Sequence, residues 1–214
     1  MKKSHRYEGE DIALTYDARR CINTGECVRG LPAVFDPARR PWVVPDEADP
    51  GEVAGVVRRC PTGALQFERA GGPSETAPSH NMITVSSDGP LVVRGDLRIG
   101  ADEAAAPEIR AAFCRCGLSE YKPYCDGSHE GRFQDTGQLG QIDLTPVLDD
   151  ATGQALQIKP APNGPLLLDG CFELRGAEGV ERTSGRNAAL CRCGQSANKP
   201  FCDGAHKAAG FEAD

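Results

Sequence analysis

The chain has 214 residues, which leaves room for one large domain or for two to three small ones. Aromatic residues make up only 6% of it, while 25 glycines and 16 prolines are typical of small, loop-rich units. The formal net charge of −7 lies entirely in residues 71–214, so nucleic acid is not an expected partner. No apolar stretch approaches the ~18 residues that span a bilayer, and the start lacks a signal-like apolar core. We therefore expect a cytoplasmic protein that does not bind a membrane.

The first 70 residues mix strand-like and helix-like patterns. Residues 11–16 alternate as a strand does, and 33–35 and 42–44 are short apolar runs. Residues 50–59 place Val53, Val56 and Val57 at helical spacing. The mixture predicts a small α+β unit over residues 1–70.

Three of the ten cysteines, Cys21, Cys27 and Cys60, lie in this unit. Without a secretion signal, many cysteines indicate metal ligation more than disulfides. The runs CINTGECVRGLPAVFD and CPTGAL resemble divergent mono-cluster ferredoxin domains, with Thr24 where the middle cysteine of a Cys-x2-Cys-x2-Cys run would be. The resemblance implies a ferredoxin-like domain with a cluster on these three cysteines. We expect [3Fe-4S]; the alternative [4Fe-4S] needs a water or oxygen ligand at its fourth iron. Three ordinary buried cysteines are the other interpretation.

An internal repeat organises the rest of the chain. A polar, Gly-, Pro- and Ser-rich stretch at 71–80 is expected to be a linker. After it, AAFCRCGLSEYKPYCDGSH at 111–129 aligns without a gap with AALCRCGQSANKPFCDGAH at 188–206. Upstream, DGPLVVRGD at 88–96 pairs with NGPLLLDGC at 163–171.

Short apolar runs bounded by turn residues precede each cysteine loop. They predict about three short strands per copy, at 83–85, 91–93 and 97–99, then at 156–158, 166–168 and 172–174. Neither copy can bury much apolar surface alone. We therefore expect two units, 81–133 and 156–214, joined by a connection at 134–155 and sharing one core in a pseudo-twofold arrangement.

Each cysteine loop offers three sulfurs and one imidazole. The first loop carries Cys114, Cys116, Cys125 and His129, and the second carries Cys191, Cys193, Cys202 and His206. A Cys-x-Cys pair can converge on one metal atom, and a Cys and His four residues apart share one face of a helical turn. Two chelating pairs suit the two irons of a [2Fe-2S] cluster. Four-coordinate zinc could use the same ligands.

The motifs CRCGLSEYKPYCDGSH and CRCGQSANKPFCDGAH resemble the CDGSH iron-sulfur signature of the mitoNEET family. The resemblance implies one [2Fe-2S] cluster per motif, with three Cys ligands and one His ligand at the positions just given. Two motifs in one chain resemble the tandem, monomeric branch of that family. The outer-membrane location of its anchored members is not expected here.

We expect several other side chains to have structural roles or to be solvated rather than to bind metal. Asp126 and Asp203 are suited to cap the turn that follows each third cysteine. We expect Cys171 to be a plain core or surface thiol, Trp42 to serve packing, and His5 and His80 to be solvated. Four polar side chains of the loops could form hydrogen bonds near a cluster but are expected to be solvated: Arg115, Ser119, Arg192 and Ser196.

These patterns predict a non-enzymatic electron carrier. The sequence has no Ser/His/Asp order, phosphate-binding loop or dinucleotide-binding glycine motif. The expected partner of an electron carrier is a redox protein. The alternative function is transfer or storage of a cluster or of iron, for which the partner is a cluster acceptor. A structural zinc protein is the third interpretation.

Overall fold

The computed structural model describes residues 4–72, 75–100, 106–141, 144 and 153–213. The chain divides into two compact units, Met1–Thr76 and Ala77–Asp214. Strands predominate over helices in the described residues. None of the helices in these ranges is long and apolar enough to cross a membrane.

The first unit contains a three-stranded antiparallel sheet in the order β1-β2-β3. Its strands are β1 (His5–Tyr7), β2 (Ile12–Tyr16) and β3 (Leu65–Arg69). Between β2 and β3 lie α1 (Glu26–Gly30), a 3-10 helix (Pro45–Glu47) and α2 (Pro50–Val57). The strand predicted over 11–16 and the helix predicted over 50–59 are therefore both present, the helix two residues shorter.

Helix α2 closes the core of this unit. Its N-cap is Asp49, whose Oδ1 accepts a hydrogen bond from the Gly51 amide at 2.7 Å, and Pro50 occupies the first helical position. The apolar face of α2 packs with side chains from β2, β3 and the two short apolar runs. Trp42 packs here as predicted, with its ring centroid 4.9 Å from Tyr16 and 6.0 Å from Phe35.

The second unit contains one six-stranded sheet. Its strands are β4 (Met82–Val85), β5 (Leu91–Ile99), β6 (Glu108–Phe113), β7 (Leu156–Pro160), β8 (Leu166–Arg175) and β9 (Arg182–Leu190). The runs predicted at 91–93 and 97–99 belong to one strand, β5, and those at 166–168 and 172–174 to β8. Both strands continue through a register shift, at Arg94/Leu97 in β5 and at Leu168/Cys171 in β8.

Strand pairing crosses between the two copies of the repeat. β4 pairs antiparallel with β5 of its own copy and parallel with β8 of the other. β7 pairs antiparallel with β8 and parallel with β5. As a result, one hydrophobic core takes side chains from both copies, such as Leu91 and Phe113 from the first and Leu166 and Leu190 from the second.

Asn81 connects the two copies where their register shifts. The side chain is buried, and its Nδ2 donates to the carbonyl oxygens of Gln154 at 2.8 Å and Cys171 at 2.9 Å. Its Oδ1 accepts from the Asp96 amide at 3.0 Å. Cys171 itself is 6% exposed, so it is a core thiol, one of the two positions predicted for it. Part of the predicted connection, residues 142, 143 and 145–152, lies outside the described residues.

Candidate metal centres

Strands β6 and β9 each end one residue before the first cysteine of a loop, and backbone hydrogen bonds fold the loop back onto the strand. The Cys114 amide donates to the Pro123 carbonyl at 2.9 Å, and the Cys125 amide donates to the Ala112 carbonyl at 2.8 Å. The second copy repeats both bonds at 2.8 Å, from Cys191 to Pro200 and from Cys202 to Ala189. Each third cysteine is thereby held beside the first.

The eight predicted ligands lie as four close donor pairs. Sγ of Cys114 is 3.6 Å from Sγ of Cys116, and Sγ of Cys125 is 3.3 Å from Nδ1 of His129. The corresponding distances in the second loop are 3.7 Å for Cys191 and Cys193 and 3.4 Å for Cys202 and His206.

These distances fit donors that share a tetrahedral metal atom. With metal–sulfur bonds of about 2.3 Å and metal–nitrogen bonds of about 2.1 Å, two ligands lie about 3.8 Å apart for S and S and about 3.6 Å apart for S and N. Among the described residues, no three His, Cys, Asp or Glu side chains surround one metal-ion position. Soft thiolates with one imidazole also suit an iron-sulfur cluster.

The first loop holds its thiols away from solvent. Cys114, Cys116 and Cys125 are 2%, 7% and 3% exposed, whereas His129 is only partly buried. Burial raises the pKa of Cys125 to about 12. A hydrogen bond from Cys116 lowers the pKa of Cys114 to about 6 and raises that of Cys116. Because thiolates are the ligands, loading this site releases protons.

Backbone amides also point at the second cysteine of each pair. The Leu118 amide donates to Sγ of Cys116 at 3.4 Å, and the Gln195 amide donates to Sγ of Cys193 at the same distance. A sulfur that accepts such bonds is stabilised as a thiolate.

The aspartate of each motif fixes the turn that carries the histidine. Asp126 Oδ1 accepts from the Ser128 amide at 3.0 Å, while its Oδ2 accepts from the Glu120 amide at 2.8 Å. Asp203 makes the same two contacts, with the amides of Ala205 and Ala197. Among the described residues, the turn is a short helix only in the second copy, α3 (Ala205–Ala208). The helix-capping role predicted for both is not found, because α3 begins after Gly204 without a side-chain cap and the described turn of the first copy is not a helix. Each aspartate instead accepts from the amide two residues ahead and ties the turn to the preceding loop.

The prediction that the arginines of the loops are solvated is wrong. Arg115 and Arg192 are 1% and 2% exposed. Arg115 donates from Nε to the Gly89 carbonyl at 2.7 Å and forms an ion pair with Asp135. Arg192 donates from Nε to the Gly164 carbonyl at 2.8 Å. Each arginine thus fastens a ligand loop to the turn between the first two strands of its copy.

Ser119 and Ser196, also predicted to be solvated, are 2% and 1% exposed. Ser119 Oγ donates to the Tyr124 carbonyl at 2.7 Å, and Ser196 Oγ donates to the Phe201 carbonyl at 2.6 Å. These bonds close the loop between the second and third cysteines. The repetition of Arg and Ser at matching positions of the two copies was the sequence feature that could have revealed their structural roles.

The two ligand loops contact each other through their backbones. A Cβ atom at Gly117 would lie 2.8 Å from the carbonyl oxygen of Cys193, and one at Gly194 would lie 2.8 Å from that of Cys116. Both glycines have positive φ, 82° and 79°. Only glycine therefore fits at the points where the loops meet, and each point borders a ligand of the other loop.

In the first unit, Cys21, Cys27 and Cys60 line one cavity of about 40 Å³, together with Thr24 and Thr62. All three cysteines are partly exposed, so they are not the ordinary buried cysteines of the alternative interpretation. None of the ten cysteines, all of which lie in the described residues, forms a disulfide. Burial, and then a hydrogen bond with Cys21, raise the pKa of Tyr16, which lines the same cavity.

Comparison with known proteins agrees with the division of the chain into a first unit and a second unit that contains the repeat. Residues 7–70 match the family model described as a divergent 4Fe-4S mono-cluster, and residues 88–130 and 163–207 match the iron-binding zinc finger of CDGSH type. The chain is 41% identical over 61 residues to the uncharacterized protein YjdI of Escherichia coli K12 and of strain O157:H7. The aligned residues make up 28% of this chain and 80% of each relative. No solved structure matches. The chain therefore belongs to the CDGSH-type iron-binding family, with a divergent mono-cluster domain preceding two CDGSH units.

Proposed function

We propose that this protein is an electron carrier with two [2Fe-2S] clusters, each held by three cysteines and one histidine, and a third cluster in its first unit. The observation that carries the proposal is the pairing of donors in both loops, Cys with Cys at 3.6 and 3.7 Å and Cys with His at 3.3 and 3.4 Å. Two pairs per loop suit two irons. A single zinc would draw all four donors to one point.

The donor set explains why such a site accepts an electron readily. Three thiolates and a neutral imidazole give an oxidised [2Fe-2S] site a charge of 1−, whereas four thiolates give 2−. When bound, each cluster supplies one-electron chemistry. We expect potentials between about −400 mV for all-cysteine ferredoxins and about −150 mV at the low end of the two-histidine range.

Positive charge from a buried arginine also makes a cluster site easier to reduce. Arg115 and Arg192 each follow the first ligand of a loop, and Cys114 interacts electrostatically with Arg192. A cation with little solvent around it favours added negative charge nearby. We infer that both side chains anchor the loops and that Arg192 also supports the reduced state, whereas Asp135 compensates the charge of Arg115.

For the first unit we propose one cluster on Cys21, Cys27 and Cys60. Three thiolates are enough for [3Fe-4S]. The 4Fe-4S description of the matching family supports the alternative, [4Fe-4S] with a non-cysteine ligand at one iron.

We also propose a pseudo-twofold relation between the two CDGSH units. Exchanging β4 with β7, β5 with β8 and β6 with β9 leaves the set of strand pairings unchanged. The reciprocal contacts of Gly117 and Gly194 follow the same exchange. Both observations support one chain acting as its own dimer.

The test is chemical and electrochemical analysis of anaerobically purified protein. We expect about seven or eight irons per chain, acid-labile sulfide, and reversible one-electron reduction within the range given above. A colourless protein that contains zinc and no labile sulfide would refute the proposal. Potentials below those of every cellular donor would refute electron transfer while leaving the clusters in place.

The exposure of the histidines favours a second candidate, transfer of a cluster or of iron to an acceptor protein. His129 and His206 are partly exposed, whereas Cys114 and Cys191 are 2% exposed. The imidazole side is therefore where protonation can loosen an iron. Transfer to an apo-ferredoxin that accelerates at mildly acidic pH would support this function, and no transfer at any pH would exclude it.

A further inference from the structure

The cavity shared by the three cysteines of the first unit has a side that no cysteine occupies. Thr24 lines this cavity with Cys21, Cys27 and Cys60. It lies three residues after Cys21 and three before Cys27, where a four-cysteine run carries its middle ligand. Its position in the sequence and its place in the cavity lining are separate observations, and both make residue 24 the position that corresponds to the missing cysteine ligand.

The backbone around Thr24 is fixed by its neighbours. Its carbonyl oxygen accepts a hydrogen bond from Nη2 of Arg29 at 2.7 Å, and the same guanidinium pairs with Glu26 at 2.9 Å. Asn23 and Gly25 on either side have positive φ, 53° and 72°. These contacts shape the turn that carries residue 24 into the lining of the cavity.

The other oxygen-bearing side chains of the cavity are already engaged. Glu26 pairs with Arg29, and Tyr16 interacts with Cys21. Thr62 Oγ1 accepts from the Ala64 amide at 3.1 Å and lies 3.6 Å from Sγ of Cys60. A fourth ligand from the protein is therefore best sought at position 24.

A wider cavity of about 470 Å³, whose lining includes both sequence neighbours of Thr24 but not Thr24 itself, adjoins the smaller cavity. It shares Cys21, Gly25, Cys27 and Trp42 with the smaller cavity and is lined further by Asn23 and Arg40. A hydrated iron ion or a small chelator can reach the cluster position from there.

We propose that the iron beside Thr24 is held by no cysteine and is exchangeable, so that the first unit converts between [4Fe-4S] and [3Fe-4S] by losing and regaining Fe²⁺. This inference rests on the proposed three-cysteine cluster. Loss of one Fe²⁺ from a [4Fe-4S]²⁺ cluster leaves [3Fe-4S]⁺ and releases one electron to a one-electron oxidant, here ferricyanide. Reduction of [3Fe-4S]⁺ by one electron from dithionite and addition of Fe²⁺ restore the starting state.

The test is EPR of the full chain after ferricyanide treatment. Oxidised [2Fe-2S] clusters are EPR-silent and an oxidised three-iron cluster is not, so the signal reports the first unit alone. We expect a signal of about one spin per chain in the natural protein and its loss in Thr24→Cys, which supplies the fourth thiolate. Thr15→Cys, the same change on β2 outside the lining of the cavity, and Thr24→Ser are matched controls that should keep the signal.

A second measurement covers the case in which Thr24→Cys fails to fold. Natural protein is oxidised, then reduced with dithionite in the presence of ⁵⁷Fe²⁺, and Mössbauer spectroscopy counts the label. About one ⁵⁷Fe per chain supports an exchangeable iron. No uptake, or an undiminished three-iron signal in folded Thr24→Cys, overturns the inference while leaving the three-cysteine cluster intact. A first unit without iron or sulfide would refute the proposed cluster itself.

Discussion

Replacing Gly117 by alanine tests whether the two ligand loops meet as described. The new methyl group would lie 2.8 Å from the carbonyl oxygen of Cys193 and 3.2 Å from its carbonyl carbon. Both are backbone atoms that cannot rotate aside, so an added methyl costs about 1 to 3 kcal/mol. The positive φ of 82° adds about 1 to 2 kcal/mol for any residue with a Cβ.

Gly131→Ala is the matched control. Gly131 also has a positive φ, 66°, but a Cβ there would meet nothing within 4 Å. It should therefore show only the conformational cost of about 1 to 2 kcal/mol. The difference between the two variants isolates the contact between the loops.

The assay is thermal unfolding of the loaded protein, followed by circular dichroism and by the visible absorption of the clusters. Each kcal/mol lowers Tm by about 2 to 4 °C in a chain of this size. Gly117→Ala should thus melt about 2 to 12 °C below Gly131→Ala, and Gly194→Ala should behave like Gly117→Ala. Equal melting temperatures for Gly117→Ala and Gly131→Ala would refute the reasoning.

Three further predictions concern single side chains. His129→Cys should lower the potential of one [2Fe-2S] cluster toward about −400 mV in a redox titration, while His80→Gln, at an exposed site, should leave that potential unchanged. Asp135→Ala removes the partner of buried Arg115 and should cost up to about 3 to 5 kcal/mol in denaturant unfolding. Asp96→Ala, from a pair with Arg98 in which both side chains are 31% exposed, should cost less than about 1 kcal/mol, and equal losses would contradict burial of the first pair. Hydrogen bonds from Arg19 lower the pKa of Asp17 below its usual value, so the stabilising effect of its carboxylate is present above about pH 4 and is lost as the pH falls through the folded pKa. In denaturant unfolding, Asp17→Asn should destabilise the protein by less than about 1 kcal/mol at pH 7 and progressively less as the pH falls through that pKa.

The repeat made much of the second unit predictable. Four of its strands were expected, because their apolar runs are bounded by turn residues. β6 and β9 were not. β9 has one solvated face, and its buried positions are Gly185, Ala188 and Leu190, so only one of the three is a strong apolar marker. Small buried residues carry little of the alternation on which strand prediction depends.

The position of the arginines could not be read from residue type. An arginine in a loop is usually solvated, but Arg115 and Arg192 gain backbone carbonyl acceptors that exist only after the loop folds onto the turn between two strands. The pairing of β4 with β8 of the other copy likewise arises only when the two copies pack into one core. A local sequence pattern does not encode which copy supplies the partner strand.

Cluster ligation by histidine is tested most directly by pulsed EPR of the dithionite-reduced protein carrying ¹⁵N-labelled histidine. The account predicts coupling of the reduced clusters to a directly bound ¹⁵N nucleus. This coupling should be retained in His5→Gln and His80→Gln and abolished in the double variant of His129→Cys and His206→Cys. Reduced clusters without ¹⁵N coupling, or coupling that survives in the double variant, would contradict it.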